Sequence, residues 1–182
     1  MPSNRVIETI YLGPFPSVDK VNTSTLYKPG ELGARADINN TEWQLVQLDS
    51  GATASAPAGV VAVGQAAYWK DKSKYLVTND MTQAVGAAAG ARNEVAGVFQ
   101  VAVTAGNYCY VQQKGRSLNA VKTKSGSPNI GDWLVADNTA STAQFDVVAI
   151  ATAPTVRSYG VYAAAGSSST TATVDLDIPG IP

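Results

Sequence analysis

The sequence predicts an all-β protein with one compact β-sandwich or barrel-like domain of about ten short strands and an extended N-terminal arm. Valine (21 residues) and threonine and glycine (16 each) are frequent while leucine (9) is scarce, which favours strands over helices. Several segments show a two-residue repeat, in which successive side chains point to opposite faces as they do in a β-strand. Gly, Asn and Ser turns separate these segments at regular intervals, as in a sandwich or a barrel.

The arm is expected over residues 1–41, and the β-rich domain over residues 42–182. Prolines remove backbone donors and fix φ, so the arm forms neither a continuous helix nor a central strand. Its prolines are Pro2, Pro14, Pro16 and Pro29. Isolated apolar residues make the segment too apolar for a purely disordered tail. We therefore expect it to dock on its own domain or on a neighbouring subunit.

The first half of the domain predicts an opening strand and a hairpin. Trp43–Asp49 alternates between two faces, and the small-residue segment Ser50–Gly59 predicts an exposed loop. Two strand-like segments then precede a polar turn at Asp71–Ser73 and a return strand at Lys74–Thr78, a pattern typical of a hairpin. Thr82–Arg92 is either a short helix or a loop, because its alanines permit a helix and its two glycines weaken it.

The clearest succession of strands begins at Val95. Here Val95, Phe99, Val101 and Val103 share one parity, which predicts a half-buried strand with these side chains on the same face. The segment Ala105–Asn107 predicts a tight turn, and Tyr108–Gln113 predicts the following strand because aromatic and β-branched residues favour strands.

The C-terminal third predicts three further strands. Phe145–Thr152 is nearly continuously apolar, which predicts a central strand ended by Pro154. Val156–Ala163 predicts the next strand, and Thr171–Ile178 has the cleanest alternation in the chain. The apolar members of that last strand are Ala172, Val174, Leu176 and Ile178.

Reactive groups are few, and we expect no catalytic residue, cofactor or metal site. The chain has no histidine, which removes Ser-His-Asp and Cys-His chemistry and the commonest zinc ligand. The single cysteine, Cys109, is expected to fill space within a strand. The segment Gly126–Gly131 has the glycine spacing of a phosphate loop, but Asp132 and Trp133 follow where Lys and Ser or Thr are required, so it predicts a turn. Asp175 and Asp177 share a strand face, which predicts a solvated outer face rather than a weak cation site.

The charge pattern excludes some partners. The formal net charge is −1 with scattered Lys and Arg, so the chain carries no electrostatic footprint for nucleic acid. No apolar run reaches the roughly 20 residues that span a bilayer, so we expect no membrane partner. The N-terminus also lacks the apolar core of a secretory signal.

Three segments resemble small virion structural proteins of tailed bacteriophages: VVAVGQAAYWKDKSKYLVTND, RNEVAGVFQVAVTAGNYCYVQQKG and GDWLVADN. They are similar to the head decoration, or cement, proteins on the outside of mature capsids, and the resemblance covers roughly residues 57–151. It lies in a Gly-Val-rich first strand, the strand–turn–strand AGVFQVAVTAGNYCYVQQKG and the late strand entry GDWLV.

This resemblance implies a β-rich, often trimeric protein on the outer surface of the capsid, assembled in the host cytoplasm, that clamps neighbouring major capsid protein subunits. The expected partners are therefore the major capsid protein and further copies of the chain, with a trimer favoured. The apolar arm residues are the expected contacts, because extended apolar segments add to sheet edges or fill grooves. They are Ile7, Ile10, Tyr11, Leu12, Phe15, Leu26 and Tyr27.

Two other functions remain open at this point. A receptor- or carbohydrate-binding β-module of a phage tail or fibre would use Tyr68 and Trp69, or Tyr108 and Tyr110, as a stacking platform, although cross-strand aromatic pairing explains these residues more simply. The other rival is a hydrolase that works with carboxylates alone.

Overall fold

Strands form nearly all the regular structure in the part of the chain that the computed structural model describes. That part comprises residues 35–38, 40–51, 60–85, 94–117, 121–123, 128–136, 144–154, 157–164 and 171–179. Its fourteen strands are β1 (Arg35–Ile38), β2 (Thr41–Leu48), β3 (Val60–Val61), β4 (Ala66–Asp71), β5 (Leu76–Thr78), β6 (Val95–Phe99), β7 (Val103–Thr104), β8 (Tyr108–Arg116), β9 (Val121–Lys122), β10 (Trp133–Ala136), β11 (Phe145–Val148), β12 (Ser158–Tyr162), β13 (Thr171–Ala172) and β14 (Val174–Asp177). Single-turn 3-10 helices occur at Lys72–Lys74 and Met81–Gln83. No helix among the described residues has the length and apolarity needed to cross a membrane. The predicted all-β class is confirmed.

Five strands close into a barrel in the order β2-β5-β4-β6-β8. Closure comes from the antiparallel pairing of β2 with β8, whose register runs from Glu42 opposite Lys114 to Gln47 opposite Tyr108. The β2–β5 pair is parallel, and the other neighbours in the barrel are antiparallel. The predicted hairpin is present, with β4 and β5 joined by the 3-10 turn at Lys72–Lys74.

The same sheet continues beyond the barrel in the order β8-β14-β12-β10-β11. One side of β8 pairs with β6 at Val111 and Gln112 and with β14 between Lys114 and Arg116. Strand β8 is therefore shared by the barrel and an outer sheet. Strand β1, drawn from the segment predicted as the arm, pairs with β2 at the other end of the sheet.

The two-part sheet has two hydrophobic cores. The first lies in the barrel and includes Val46, Leu48, Ala67, Trp69, Val77, Phe99, Cys109 and Val111. The second lies between the outward faces of β4 and β6 and the outer sheet, and includes Ala66, Tyr68, Val95, Val98, Leu134, Phe145, Tyr162, Val174, Leu176 and Ile178. The outer part of the sheet covers the outward face of the barrel strands β4 and β6. Both faces of these two strands are therefore apolar, which explains why strict alternation with polar residues is missing there.

The prediction that Val95 and Phe99 share a half-buried face was wrong. The register pairs Ala67 with Gly97 but Tyr68 with Val95, so Ala96 is an extra residue that forms a bulge. The bulge reverses the parity of the strand, and Val95 faces the second core while Phe99 faces the first. All five residues of β6 are buried.

The prediction of a central strand over Phe145–Thr152 was also wrong. Strand β11 ends at Val148 and lies at the edge of the sheet, where the N–H of Val147 is bonded by the side chain of Asp146. The following residues form a turn in which Ile150 is exposed. By contrast, the predicted inward face of the last strand is confirmed, since its four apolar residues all lie in the second core.

Candidate functional site

The seven apolar arm residues predicted as partner contacts, from Ile7 to Tyr27, lie outside the described residues. Their role stays a prediction. The candidate site consists of residues that the sequence pattern did not single out for binding.

The stacking platform considered at Tyr68 and Trp69 is not present, because both residues are buried. Tyr68 has no exposed area and Trp69 is 1% exposed, the first packed in the second core and the second inside the barrel. Tyr110 is buried as well, and Tyr108 is half-buried. The predicted cross-strand aromatic pairing is not found, since the register places Tyr68 opposite Thr78, Trp69 opposite Val77, Tyr108 opposite Gln47 and Tyr110 opposite Leu45. These rings pack in the sheet against aliphatic and polar partners.

Cys109 points into the barrel core, as its predicted space-filling role requires. Desolvation raises the pKa of its thiol to about 12. A thiol held protonated in an apolar interior is a poor nucleophile, because the thiolate is the reactive form.

Asp175 and Asp177 lie on the outer face of β14, and Asp175 is engaged by a cation of the chain itself. The guanidinium of Arg116, opposite Asp175 in the register, donates to it through Nε (2.5 Å) and Nη2 (3.2 Å). This pairing raises the pKa of Arg116. No group of three or more potential metal ligands occurs among the described residues.

Residues 128–131 are the described part of the segment Gly126–Gly131 that was predicted as a turn, and they do belong to one. The N–H of Asp132 donates to the carbonyl of Asn129 at 3.1 Å, which makes Ile130 and Gly131 the two corner residues. Gly131 has φ of 90°, the positive value that the third position of a type II turn needs. Ile130 is 68% exposed at the corner.

A second turn lies beside the first. The N–H of Thr152 donates to the carbonyl of Ala149 at 2.8 Å, so Ile150 stands at the equivalent corner position and is 59% exposed. The two turns touch, because Cδ1 of Ile150 lies 2.9 Å from the point that a Cβ on Gly131 would occupy. We call the two turns, Asn129–Asp132 and Ala149–Thr152, the tip.

One buried carboxylate ties the two turns of the tip together. Asp132, 4% exposed, accepts from the N–H of Asn129 through Oδ2 at 2.8 Å and from the N–H of Ile150 through Oδ1 at 3.0 Å. The tip is also fixed to β12, since Gly131 donates to the carbonyl of Tyr162 and the N–H of Tyr162 donates to that of Asp132. Both corner isoleucines are therefore held by a rigid support.

Trp133 follows the tip and lies on the outer face of β10. It is opposite Val148 on one side and Val161 on the other, and all three side chains are half-buried. The other two tryptophans, Trp43 and Trp69, are buried at 2% and 1% exposure. Trp133 is thus the most exposed of the three tryptophans.

The sequence offered one weak signal for the tip, the dipeptide Asn129–Ile130 before a glycine within a turn. Nothing local in the sequence connects it to Ile150, because the pairing of β10 with β11 is what brings the two turns side by side. No protein-family model matches the chain, and no curated protein is significantly similar to it.

Proposed function

We propose that this chain is a structural virion protein that decorates and stabilises a bacteriophage capsid by binding across neighbouring major capsid protein subunits. The observation that carries the proposal is the distribution of exposed apolar side chains. Among the described residues, the exposed large apolar ones are Val85, Ile130 and Ile150, and two of these three stand on the adjoining turns of the tip. Exposed apolar side chains on two neighbouring, hydrogen-bonded turns support a role in binding another protein.

The rest of the described domain supports a structural role. A closed barrel leaves few free strand edges, and the outer sheet adds a second core to it. The N–H of Val147 at the β11 edge is taken by Asp146, which discourages uncontrolled pairing with other strands. Such a domain resists deformation and aggregation while many copies bind a symmetric shell, where repeated modest contacts add up through avidity.

The direct test is binding to shells of the phage that encodes the chain. Purified protein is mixed with expanded shells and with unexpanded precursor shells, and the bound fraction is measured by co-sedimentation. The proposal predicts saturable binding to expanded shells at a fixed number of copies per shell. Equal failure to bind either form contradicts it.

The arm is tested separately by removing residues 1–34, which leaves β1 in place. If the predicted arm contacts anchor the protein, the truncated chain binds shells more weakly at an unchanged melting temperature. A matched full-length variant with Ile7, Tyr11 and Phe15 replaced by Ser separates the effect of these side chains from that of chain length. Sedimentation equilibrium of the intact chain tests the proposed trimer.

A second candidate, a carbohydrate-binding module of a tail or fibre, is favoured by Trp133 alone. Trp133 is half-buried opposite Val148 and Val161, and an indole that keeps accessible surface can stack on a sugar ring. Binding on a glycan array that disappears in Trp133→Ala supports this candidate. Trp69→Ala does not test it, because the loss of a buried core residue destabilises the barrel.

A further inference from the structure

We propose that the tip is a preformed anchor that inserts the side chains of Ile130 and Ile150 into an uncharged, apolar groove on the shell protein. The inference rests on the proposed function and assigns it a contact. Ile130 and Ile150 lie outside the arm residues that were predicted to contact the partner.

The geometry of the tip favours insertion into a groove over contact with a flat surface. Each isoleucine stands at the second position of its β-turn, so each side chain projects from the most prominent point of its loop. The two turns are adjacent, with Ile150 in contact with the backbone of Gly131. The two turns together form a protrusion that exposes both isoleucines.

The tip is also ordered before binding. The carboxylate of Asp132 bonds an N–H from each turn, and further backbone bonds join Gly131 and Asp132 to Tyr162. Because the loops are already fixed, little conformational entropy is lost when the isoleucines become buried. This pre-organisation distinguishes an anchor from an incidental exposed residue in a mobile loop.

The chemistry of the groove follows from the charges of the tip. Residues 128–131 and 149–154 carry no charged side chain, and the carboxylate of Asp132 is buried and occupied by backbone donors. A charged partner surface would be desolvated against the tip without compensation. Phosphate groups of nucleic acids or lipids would likewise find no Lys or Arg on these loops. The matching partner is therefore an uncharged apolar groove of a protein.

Two side chains bury much less than the roughly 800 Å² per partner of a standard stable interface. The tip by itself is consequently too small to hold a stable pair of copies in solution. On a shell, where each copy makes other contacts and many copies act together, a small central anchor is sufficient to fix position.

The test compares three variants in the shell co-sedimentation assay. In the intact chain Ile130→Ser combined with Ile150→Ser removes the protrusion, and Ile130→Leu combined with Ile150→Leu keeps it apolar. Val85→Ser is the matched control, since Val85 is the other large apolar residue exposed in the described part of the chain (39%). Melting temperatures of all variants verify that the fold is retained.

We expect the double Ser variant to bind expanded shells at least about tenfold more weakly, because two buried apolar contacts are lost. The double Leu variant and the Val85→Ser variant stay within about twofold of the parent protein, since neither removes apolar surface from the tip. As an independent measurement, Asp132→Asn weakens binding by loosening the tip while both isoleucines remain.

Three outcomes overturn the inference. If the parent protein binds shells and the double Ser variant binds equally well, the tip is not an anchor although the proposed function stands. If the parent does not bind shells, both proposals fail together. If the parent binds phosphatidylcholine or phosphatidylglycerol vesicles and the double Ser variant does not, the tip inserts into lipid and not into a protein groove.

Discussion

The side chains of Gln113 and Gln44 join β8 to β2 by a buried hydrogen bond, in which Nε2 of Gln113 donates to Oε1 of Gln44 at 2.7 Å. The same nitrogen donates to the carbonyl of Ala96 at 3.0 Å. Each of the two residues is 1% exposed, so bulk water cannot replace a hydrogen bond that either amide loses. A single amide thus connects the strands that close the barrel with the bulge of β6.

Gln113→Ala leaves both acceptors unpaired in the interior, and we expect it to lower the free energy of unfolding by about 2–3 kcal/mol. Replacing both glutamines by Leu removes both side-chain amides and leaves only the carbonyl of Ala96 without this donor, so the double variant should lose less than the sum of the two single Leu variants. Urea denaturation of the four proteins measures this coupling. Additive effects would show that the bond does not link the two positions.

Gly106 and Gly115 have nearly the same φ, so alanine substitutions at the two positions separate the cost of backbone strain from the cost of crowding. Gly106 (φ 86°) has no neighbouring atom within 4 Å of an added Cβ, whereas at Gly115 (φ 84°) that Cβ would lie 2.5 Å from the carbonyl oxygen of Asn40. Gly106→Ala should therefore cost only the left-handed conformation, about 1–2 kcal/mol.

Gly115→Ala adds the clash with backbone that cannot move without shifting the β1–β2 turn, and we expect a loss well above about 2 kcal/mol. Thermal denaturation of both variants provides the comparison. Equal losses at the two positions would mean that the turn yields to the added methyl group.

Burial of Cys109 makes stability depend on alkaline pH. The pKa of its thiol is raised from 9.0 to about 12 in the folded protein, so the folded state binds the proton more tightly than the unfolded state. The resulting stability is complete below pH 9.0 and is lost as the pH rises towards about 12, with a limiting slope of about 1.4 kcal/mol per pH unit.

Unfolding free energies measured from pH 8 to pH 10 should fall for the parent protein and stay flatter for Cys109→Ala. Above pH 10 the buried hydroxyl of Tyr162, whose pKa is also raised by desolvation, contributes in the same direction. In the native state Cys109 should also react with a thiol reagent only at the rate of unfolding. Rapid labelling of the folded protein would contradict its burial.

The tryptophans provide a contrast between core and surface. Trp69→Ala empties the centre of the barrel and should cost about 3–5 kcal/mol. Trp133→Ala, at a half-buried position, should cost clearly less, because part of the ring is already in contact with water. Intrinsic fluorescence separates the two, since acrylamide should quench Trp133 and leave Trp69 largely unaffected.

The sequence by itself determined the class of fold. Composition and alternation are local properties, so β2, the β4–β5 hairpin, β8 and the inward face of Ala172–Ile178 follow from the residues of each segment. The burial of Cys109 and the turn ending at Asp132 were also accessible in this way, because each depends on immediate neighbours.

The tertiary structure decided what depends on partners distant in the chain. The bulge at Ala96 exchanged the faces of Val95 and Phe99, and the edge position of β11 turned an apolar run into the exposed corner at Ile150. Neither effect is encoded in a local period, since each is set by the strand that pairs alongside. The tip exists for the same reason, because its two isoleucines are twenty residues apart in sequence and are brought together by the pairing of β10 with β11 and by Asp132, which bonds both turns.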